Sequence, residues 1–192
     1  MEIYIVRHTT PDIEKGICYG QSDLDLIENY NEEFKIVKSK IPNYKNFKVI
    51  SSPLKRCKKL AKSFNHEVIF DARLKELNFG NWEMKPWNTI PEDEIKPWMT
   101  DFVNVAVPNG ESYTQLASRV KSCFDTILAS NTNKNLIIIS HAGPIRAFLA
   151  TLLNIELKDS FNIKINYGDV FHLKKESESL KLITEVNLLQ KN

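Results

Sequence analysis

Two histidines, two arginines and a glutamate each stand just past the end of a short apolar run. Arg7-His8 follows Ile3–Val6, and Ser51-Ser52-Pro53 follows Phe47–Ile50, with Arg56 one helical turn further on. Val68–Phe70 leads into a loop carrying Glu76 and Gly80, and Leu136–Ile139 runs into Ser140-His141-Ala142-Gly143-Pro144. Arginine presents a fixed fork of donors that suits a phosphoryl group, so Arg7 and Arg56 together suggest a dianion held between them. Imidazole is substantially neutral near pH 7, which makes a histidine beside a doubly pinned phosphoryl group a competent covalent nucleophile. Ser52-Pro53 and Gly143-Pro144 read as helix starts, where proline is tolerated and free backbone N–H groups favour anions.

Each of these residues also has an ordinary role when taken alone. A histidine past a strand is commonly a structural hydrogen-bonding group, Ser52-Pro53 an ordinary helix start, and Glu76 a solvated carboxylate. Joint placement separates His8 and His141 from His66, which sits in a polar break, and from His172, in a late strand; both of those read as structural or surface residues. Two histidines and a glutamate could instead ligate zinc. Two guanidinium groups would repel a dication strongly, and no His-Glu-x-x-His spacing occurs, so no metal site is expected.

The elements that must position these groups follow from the apolar pattern. Ile3–Val6, Phe47–Ile50, Val68–Phe70 and Leu136–Ile139 read as strands of a largely buried sheet. Between them lie stretches of helical period: Leu26, Tyr30, Phe34, Val37 and Ile41; Leu54, Cys57, Leu60 and Phe64; Tyr113, Leu116, Val120, Phe124 and Ile127; Ile145, Phe148 and Leu152. This alternation predicts an α/β fold with an open, mostly parallel sheet covered by helices on both faces. In such sheets ligands bind outside the carboxyl ends of the strands, which is where the five polar groups arrive. Asn162–Tyr167, Val170–Leu173 and Leu180–Val186 read as further strands, antiparallel or at the edge. Residues 80–110 carry Trp82, Trp87, Trp98 and Phe102 among Pro86, Pro91, Pro97 and Pro108. Prolines at that density break regular elements, so the segment reads as a small cap within one domain spanning residues 1–192.

Composition narrows the function classes. The chain has 192 residues with 26 Lys and Arg against 24 Asp and Glu, a net charge of +2 that offers no footprint for nucleic acid or an anionic membrane. Lys55-Arg56-Cys57-Lys58-Lys59 is locally basic and reads as a solvated helix face. Cys18, Cys57 and Cys123 are too few and too scattered for a disulfide framework and read as reduced thiols. Met1–Arg7 lacks the pattern of a signal peptide, and no run approaches the roughly 20 apolar residues of a membrane helix, so a cytoplasmic location is expected. The six glycines are spaced so that neither a dinucleotide fingerprint nor a phosphate-loop motif can be written.

Taken in order, Arg7-His8, Ser51-Ser52-Pro53-Leu54-Lys55-Arg56, Glu76-Leu77-Asn78-Phe79-Gly80-Asn81-Trp82-Glu83, Asn109-Gly110-Glu111-Ser112 and Ser140-His141-Ala142-Gly143 resemble the histidine phosphatase superfamily, in its phosphoglycerate mutase-like branch. The resemblance runs from residue 1 to about 150 and implies a three-layer α/β sandwich. It implies that His8 attacks phosphorus and becomes a phosphohistidine, and that Arg7, Arg56 and His141 form the phosphate pocket. It assigns Glu76 to protonate the leaving alkoxide and then activate water. It also implies that no metal or organic cofactor is needed and that the partner is a small-molecule phosphomonoester. Thr9 and Glu14 stand where many members carry glycine and asparagine, which weakens a mutase assignment. Arg7-His8-Thr9-Thr10-Pro11 followed by Gly16-Ile17-Cys18-Tyr19-Gly20-Gln21-Ser22-Asp23 is similar to the alpha-ribazole phosphatase group of cobalamin synthesis. Tyr19, Gly20 and Tyr113 are candidates to touch substrate, with nothing in the sequence that fixes the contact, while the cap tryptophans either stack on its base or simply pack. Rival readings are a phosphoglycerate mutase, a sugar-phosphate phosphatase or a protein phosphohistidine phosphatase of the same fold. A catalytically silent phosphate-ligand binding protein is the rival of another class.

Overall fold

The computed structural model describes residues 1–64, 67–132, 134–177 and 179–186. Along the chain run β1 (Glu2–Arg7), α1 (Tyr30–Ser39), β2 (Lys48–Ser51), α2 (Lys55–Lys62), β3 (Val68–Phe70), α3 (Glu92–Thr100), α4 (Tyr113–Ser130), β4 (Leu136–Ser140), α5 (Ala142–Leu152), β5 (Val170–Glu176) and β6 (Ser179–Leu182). The strands form one sheet in the order β3-β2-β4-β1-β5-β6. β3, β2, β4 and β1 are mutually parallel, and β5 and β6 add an antiparallel hairpin beyond β1.

Alternation along each central strand sends side chains to two separate cores. Ile3, Ile5, Ile50, Leu136 and Ile138 pack with Leu116, Val120 and Phe124 of α4 and Ile145 and Leu149 of α5. Tyr4, Val6, Val49, Ile137 and Ile139 pack on the other face with Phe34 and Val37 of α1 and Cys57, Leu60 and Ala61 of α2. Helices therefore cover both faces of a mostly parallel sheet, giving the three-layer α/β sandwich. Every residue of β4 is buried because it is central in the sheet and sandwiched between both helix layers.

Several local expectations need correction. Asn162–Tyr167 is not a strand: a 3-10 turn covers Leu157–Asn162 and irregular chain follows. Ile163 and Ile165 alternate inward as a strand would, but pairing goes no further than a bridge at Ile163, and the two carbonyls accept from Arg146 Nε at 3.2 Å and Arg7 Nη1 at 2.9 Å. Leu180–Val186 stops being strand at Leu182, because Ile183 and Thr184 both donate to the His172 carbonyl and the Thr184 hydroxyl accepts from His172 N–H. Prolines do not exclude helix from residues 80–110: α3 contains Pro97, lies in the exposed part of the segment, and places Glu92, Asp93 and Glu94 in its first turn where they favour the helix dipole. Within the Lys55–Lys59 run, Arg56 and Cys57 point inward, so only its lysines form a solvated face. The α2 helix itself begins two residues after Pro53.

Trp82, fully buried, anchors residues 80–110 with Cys18, Ile90 and Val107, and its indole N–H donates to Glu94 at 2.7 Å. His172 pairs with Glu2 at 2.5 Å and stacks on Tyr4 with ring centres 4.4 Å apart, a structural role within the β1–β5 ladder. His66 lies outside the described residues.

Candidate active site

Parallel pairing places Arg7 opposite Ser140 and Ser51 opposite Ile139, so the carboxyl ends of β1, β2 and β4 come level. His8 is buried at their centre. Its Nδ1 lies 2.7 Å from the Thr9 carbonyl oxygen, which can only accept, so Nδ1 carries the proton. Arg56 Nε donates to His8 Nε2 at 3.3 Å, which agrees with a lone pair on Nε2. Burial lowers the His8 pKa well below its ordinary value, Arg56 and Arg7 push it further down, and the Thr9 bond opposes them. The ring is thus a neutral imidazole whose unprotonated Nε2 accepts from Arg56.

His141 stands 5.0 Å from His8 between ring centres. Its Nε2 meets the Ser52 hydroxyl at 2.8 Å and the Cys57 thiol at 3.4 Å. Burial, Arg56 and then His8 hold its pKa well below the ordinary value too. Burial pushes the Cys57 thiol up to about 12, so it remains a neutral neighbour.

Arg56 is fully buried yet keeps every nitrogen engaged. Besides His8, it donates through Nη1 to the Ser22 carbonyl at 2.8 Å and through Nη2 to the Gly20 carbonyl at 2.5 Å. That loop is itself pinned by Glu83, whose carboxylate accepts from Gly20, Gln21, Ser22 and Phe79 N–H and from the Ser22 hydroxyl. Burial opposes charge on Glu83, but the Ser22 hydroxyl and the three loop N–H bonds outweigh it and hold its pKa below the ordinary value. Gly20 admits no side chain, because an added Cβ would lie 1.8 Å from the Leu77 carbonyl oxygen. It therefore supports Arg56 and is not part of the cleft lining.

Glu76 arrives from the loop after β3. Arg119 gathers the carbonyls of Arg73, Lys75 and Glu76, and the Ser140 hydroxyl donates to the Leu74 carbonyl, which ties that loop to β4. The Glu76 carboxylate accepts from Gly143 N–H at 3.1 Å and from its neighbour Leu77 N–H at 2.9 Å. The α5 helix has no side-chain cap of its own. Glu76 supplies that anion from elsewhere in the chain, where an exposed helix N-terminus favours it.

A cleft of about 240 Å³ opens over this cluster. Arg7, His8 and Glu76 line its floor, while Arg56 and His141 are buried directly behind His8. Ile17, Leu77, Phe79, Trp87 and Phe161 form apolar walls. Of the three cap tryptophans, Trp87 lines the cleft; Trp82 and Trp98 pack against it and each other. Tyr19 and Tyr167 meet at the mouth, hydroxyl to hydroxyl at 2.6 Å. The Tyr167 ring covers the Arg7 guanidinium at 3.8 Å, and the Tyr19 ring lies 5.6 Å from that of Arg56. Arg7 Nε is buried with no hydrogen-bond partner among the described residues.

The five groups expected from the sequence therefore do converge. Sequence reasoning missed Arg146, Phe161 and Tyr167. Arg146 carried a readable signal, since it enters the first turns of a helix after His141 much as Arg56 does after Ser52. Among the described residues no group of three His, Cys, Asp or Glu is placed to hold a metal ion, and no helix is long and apolar enough to cross a membrane.

A parallel α/β sheet ending in a neutral histidine, two guanidinium groups and a helix-capping carboxylate defines a protein that handles phosphoryl groups. Residues 3–187 match the histidine phosphatase superfamily (branch 1), and the chain belongs to that superfamily, whose members are phosphatases or mutases. A relative from Hydrogenobacter thermophilus (strain DSM 6534 / IAM 12695 / TK-6), named "Putative phosphoserine phosphatase 2", is 27% identical over 189 residues, covering 94% of this chain and 93% of its own. The "Probable phosphoglycerate mutase GpmB" of Yersinia pestis (strain Pestoides F) is 31% identical over 166 residues, covering 81% of this chain and 76% of its own. The crystal structure of the alpha-ribazole phosphatase from Shigella flexneri covers all of both chains with a TM-score of 0.88 at 19% identity, a likeness of fold.

Proposed function

We propose that the chain hydrolyses phosphomonoesters through a covalent phosphohistidine on His8 Nε2, with alpha-ribazole 5'-phosphate as its substrate. The observation that carries the reaction is the locked tautomer of His8: Thr9 holds the proton on Nδ1, and a desolvated lone pair on Nε2 stands beside Arg56 and Arg7. Arg7 and Arg56 bind the phosphoryl dianion and, with His141, stabilise the charge spread over its equatorial oxygens. His8 Nε2 forms a bond to phosphorus as the ester oxygen departs, and Glu76 in its acid form gives that oxygen a proton. The Glu76 carboxylate then takes a proton from water as the water oxygen attacks the phosphohistidine, releasing inorganic phosphate and restoring His8. The segment 80–110 acts as a cap that brings Trp87 to the leaving-group side.

The apolar walls favour an alcohol with a flat aromatic part, which supports the alpha-ribazole reading. One observation favours a second reading, O-phosphoserine: Arg146 adds a third guanidinium to the cleft, and the Hydrogenobacter relative carries that name. A steady-state comparison of alpha-ribazole phosphate, O-phosphoserine and 3-phosphoglycerate tests the choice. The expected result is a kcat/KM at least about tenfold higher for alpha-ribazole phosphate, a difference of about 1.4 kcal/mol in transition-state binding. Equal, feeble rates on all three would remove that substrate. His8→Ala should lower kcat by more than about a thousandfold, and the quenched enzyme should carry acid-labile phosphate. An acid-stable label would overturn the mechanism.

A further inference from the structure

Arg146 is a guanidinium in the cleft that the phosphoryl chemistry leaves unused. It sits on α5 three residues beyond Gly143, and positions i and i+3 of a helix share one face. Gly143 N–H holds the Glu76 carboxylate, so Arg146 stands one turn further along the same wall. Its Nε donates to the Ile163 carbonyl, and its guanidinium lies 4.6 Å from the centre of the Phe161 ring. These two contacts fix the fork. Among the described residues neither terminal nitrogen has a hydrogen bond of its own, although Glu76 and Tyr113 lie near enough to act on the charge. The side chain is nevertheless mostly withdrawn from solvent, beside walls that include Leu77, Phe79 and Phe161. A desolvated cation in apolar surroundings is unfavourable until an acceptor meets it.

We propose that Arg146 is a specificity-determining residue that reads an oxygen acceptor on the alcohol half of the substrate, a hydroxyl or carboxylate within two carbons of the ester carbon. This deepens the phosphatase reading and rests on it. Order along the wall sets the position. His8 takes phosphorus, Glu76 serves the ester oxygen, and Arg146 follows at the spacing of neighbouring helical side chains, about 5–6 Å between Cβ atoms. The next atoms of the alcohol fall there. A ribose ring and a short hydroxy or amino acid both carry oxygen at that place; a plain alkyl chain does not. Two free terminal nitrogens form a parallel pair of donors, a geometry that lysine cannot reproduce.

A three-carbon series of equal length isolates the effect: propyl phosphate, glycerol 1-phosphate and 3-phosphoglycerate. Dissociation constants are measured by titration calorimetry on the His8→Ala chain, in which transfer is blocked, with and without Arg146→Ala. Arg146→Ala should weaken glycerol 1-phosphate and 3-phosphoglycerate by about ten- to a hundredfold and leave propyl phosphate within about twofold. A greater loss on 3-phosphoglycerate marks a carboxylate reader, and equal losses on the two mark a hydroxyl reader. Arg146→Lys, which keeps the charge and the stem, should still lose selectively on the two oxygen-bearing ligands, and it carries the test if Arg146→Ala does not fold. Equal weakening of all three ligands, or of none, would overturn the proposal. The phosphatase reading fails separately, if the chain with His8 intact hydrolyses no phosphomonoester while this selectivity in binding persists.

Discussion

The nucleophile depends on where one proton sits. A carbonyl oxygen 2.7 Å from Nδ1 fixes it on the far nitrogen of His8, and the two guanidinium groups keep a second proton away. Glu76 depends on space in the same way. A Cβ on Gly143 would come 2.2 Å from Glu76 Oε1, so any larger residue there must push the carboxylate aside. Gly143→Ala should displace Glu76 and lower kcat by about a hundredfold, the scale expected when a reacting group is misplaced by about 1 Å. Inorganic phosphate, held by Arg7 and Arg56, should bind within about twofold of the parent. Unchanged turnover would show that Glu76 is not the proton carrier. His8, His141, Arg7, Arg56 and Glu76 were legible in the sequence because each follows a strand. Arg146 follows a strand and a helix start in the same way, but Ile145, Ala147 and Leu149 around it draw the eye to the buried face of the helix and away from its one cation. Tyr167 was hidden differently: its partner Tyr19 lies 148 residues away, and no local pattern announces such a pair.

Among the elements, the four parallel strands and the helices over them were readable from period alone, and the late segments were not. Ile163 and Ile165 have the inward alternation of a strand, but pairing stops at a bridge on Ile163 and the guanidinium groups of Arg146 and Arg7 bond the two carbonyls, so the segment serves the site more than the sheet. The loop Gly20–Ser22 shows the reverse dependence, an irregular segment made rigid to serve the site. Glu83 gathers its three N–H groups, and its carbonyls in turn receive Arg56. Glu83→Gln removes the charge and turns donors toward donors. It should cost about 1–3 kcal/mol of stability and lower kcat/KM by at least about tenfold through Arg56, with thermal melts and steady-state rates as the readouts. The folded pKa of Glu83 is depressed below 4.5, so its contribution is present above that value and lost as pH falls through the folded one. The variant should therefore lose less stability than the parent between pH 5 and pH 3. Equal acid sensitivity in both would assign the loop's rigidity to other contacts.

For the whole molecule, the sheet order β3-β2-β4-β1-β5-β6 buries the polar cluster at its middle, and that has a consequence for folding. His8 and His141 are both fully buried, with buried Arg56 bonded to His8 and Arg7 near by. Their folded pKa values lie well below 6.5, whereas in the unfolded chain both titrate near 6.5. Below that value the unfolded chain binds more protons than the folded one, so stability must fall as pH drops. The full contribution is present above pH 6.5 and declines progressively toward the depressed folded values. Melting temperature should accordingly fall from pH 7.5 to pH 5, and His8→Gln should flatten part of that slope by removing one of the two titrating rings. A dianion between Arg7 and Arg56 offsets the same positive charge. Inorganic phosphate at a hundred times its dissociation constant should stabilise the fold by about 2.7 kcal/mol, and Arg7→Ala should abolish most of that gain. A melting temperature that stays flat down to pH 5 would mean that His8 and His141 take up protons as readily in the folded chain as in the unfolded one. The desolvated imidazole on which the proposed chemistry rests would then lose its support.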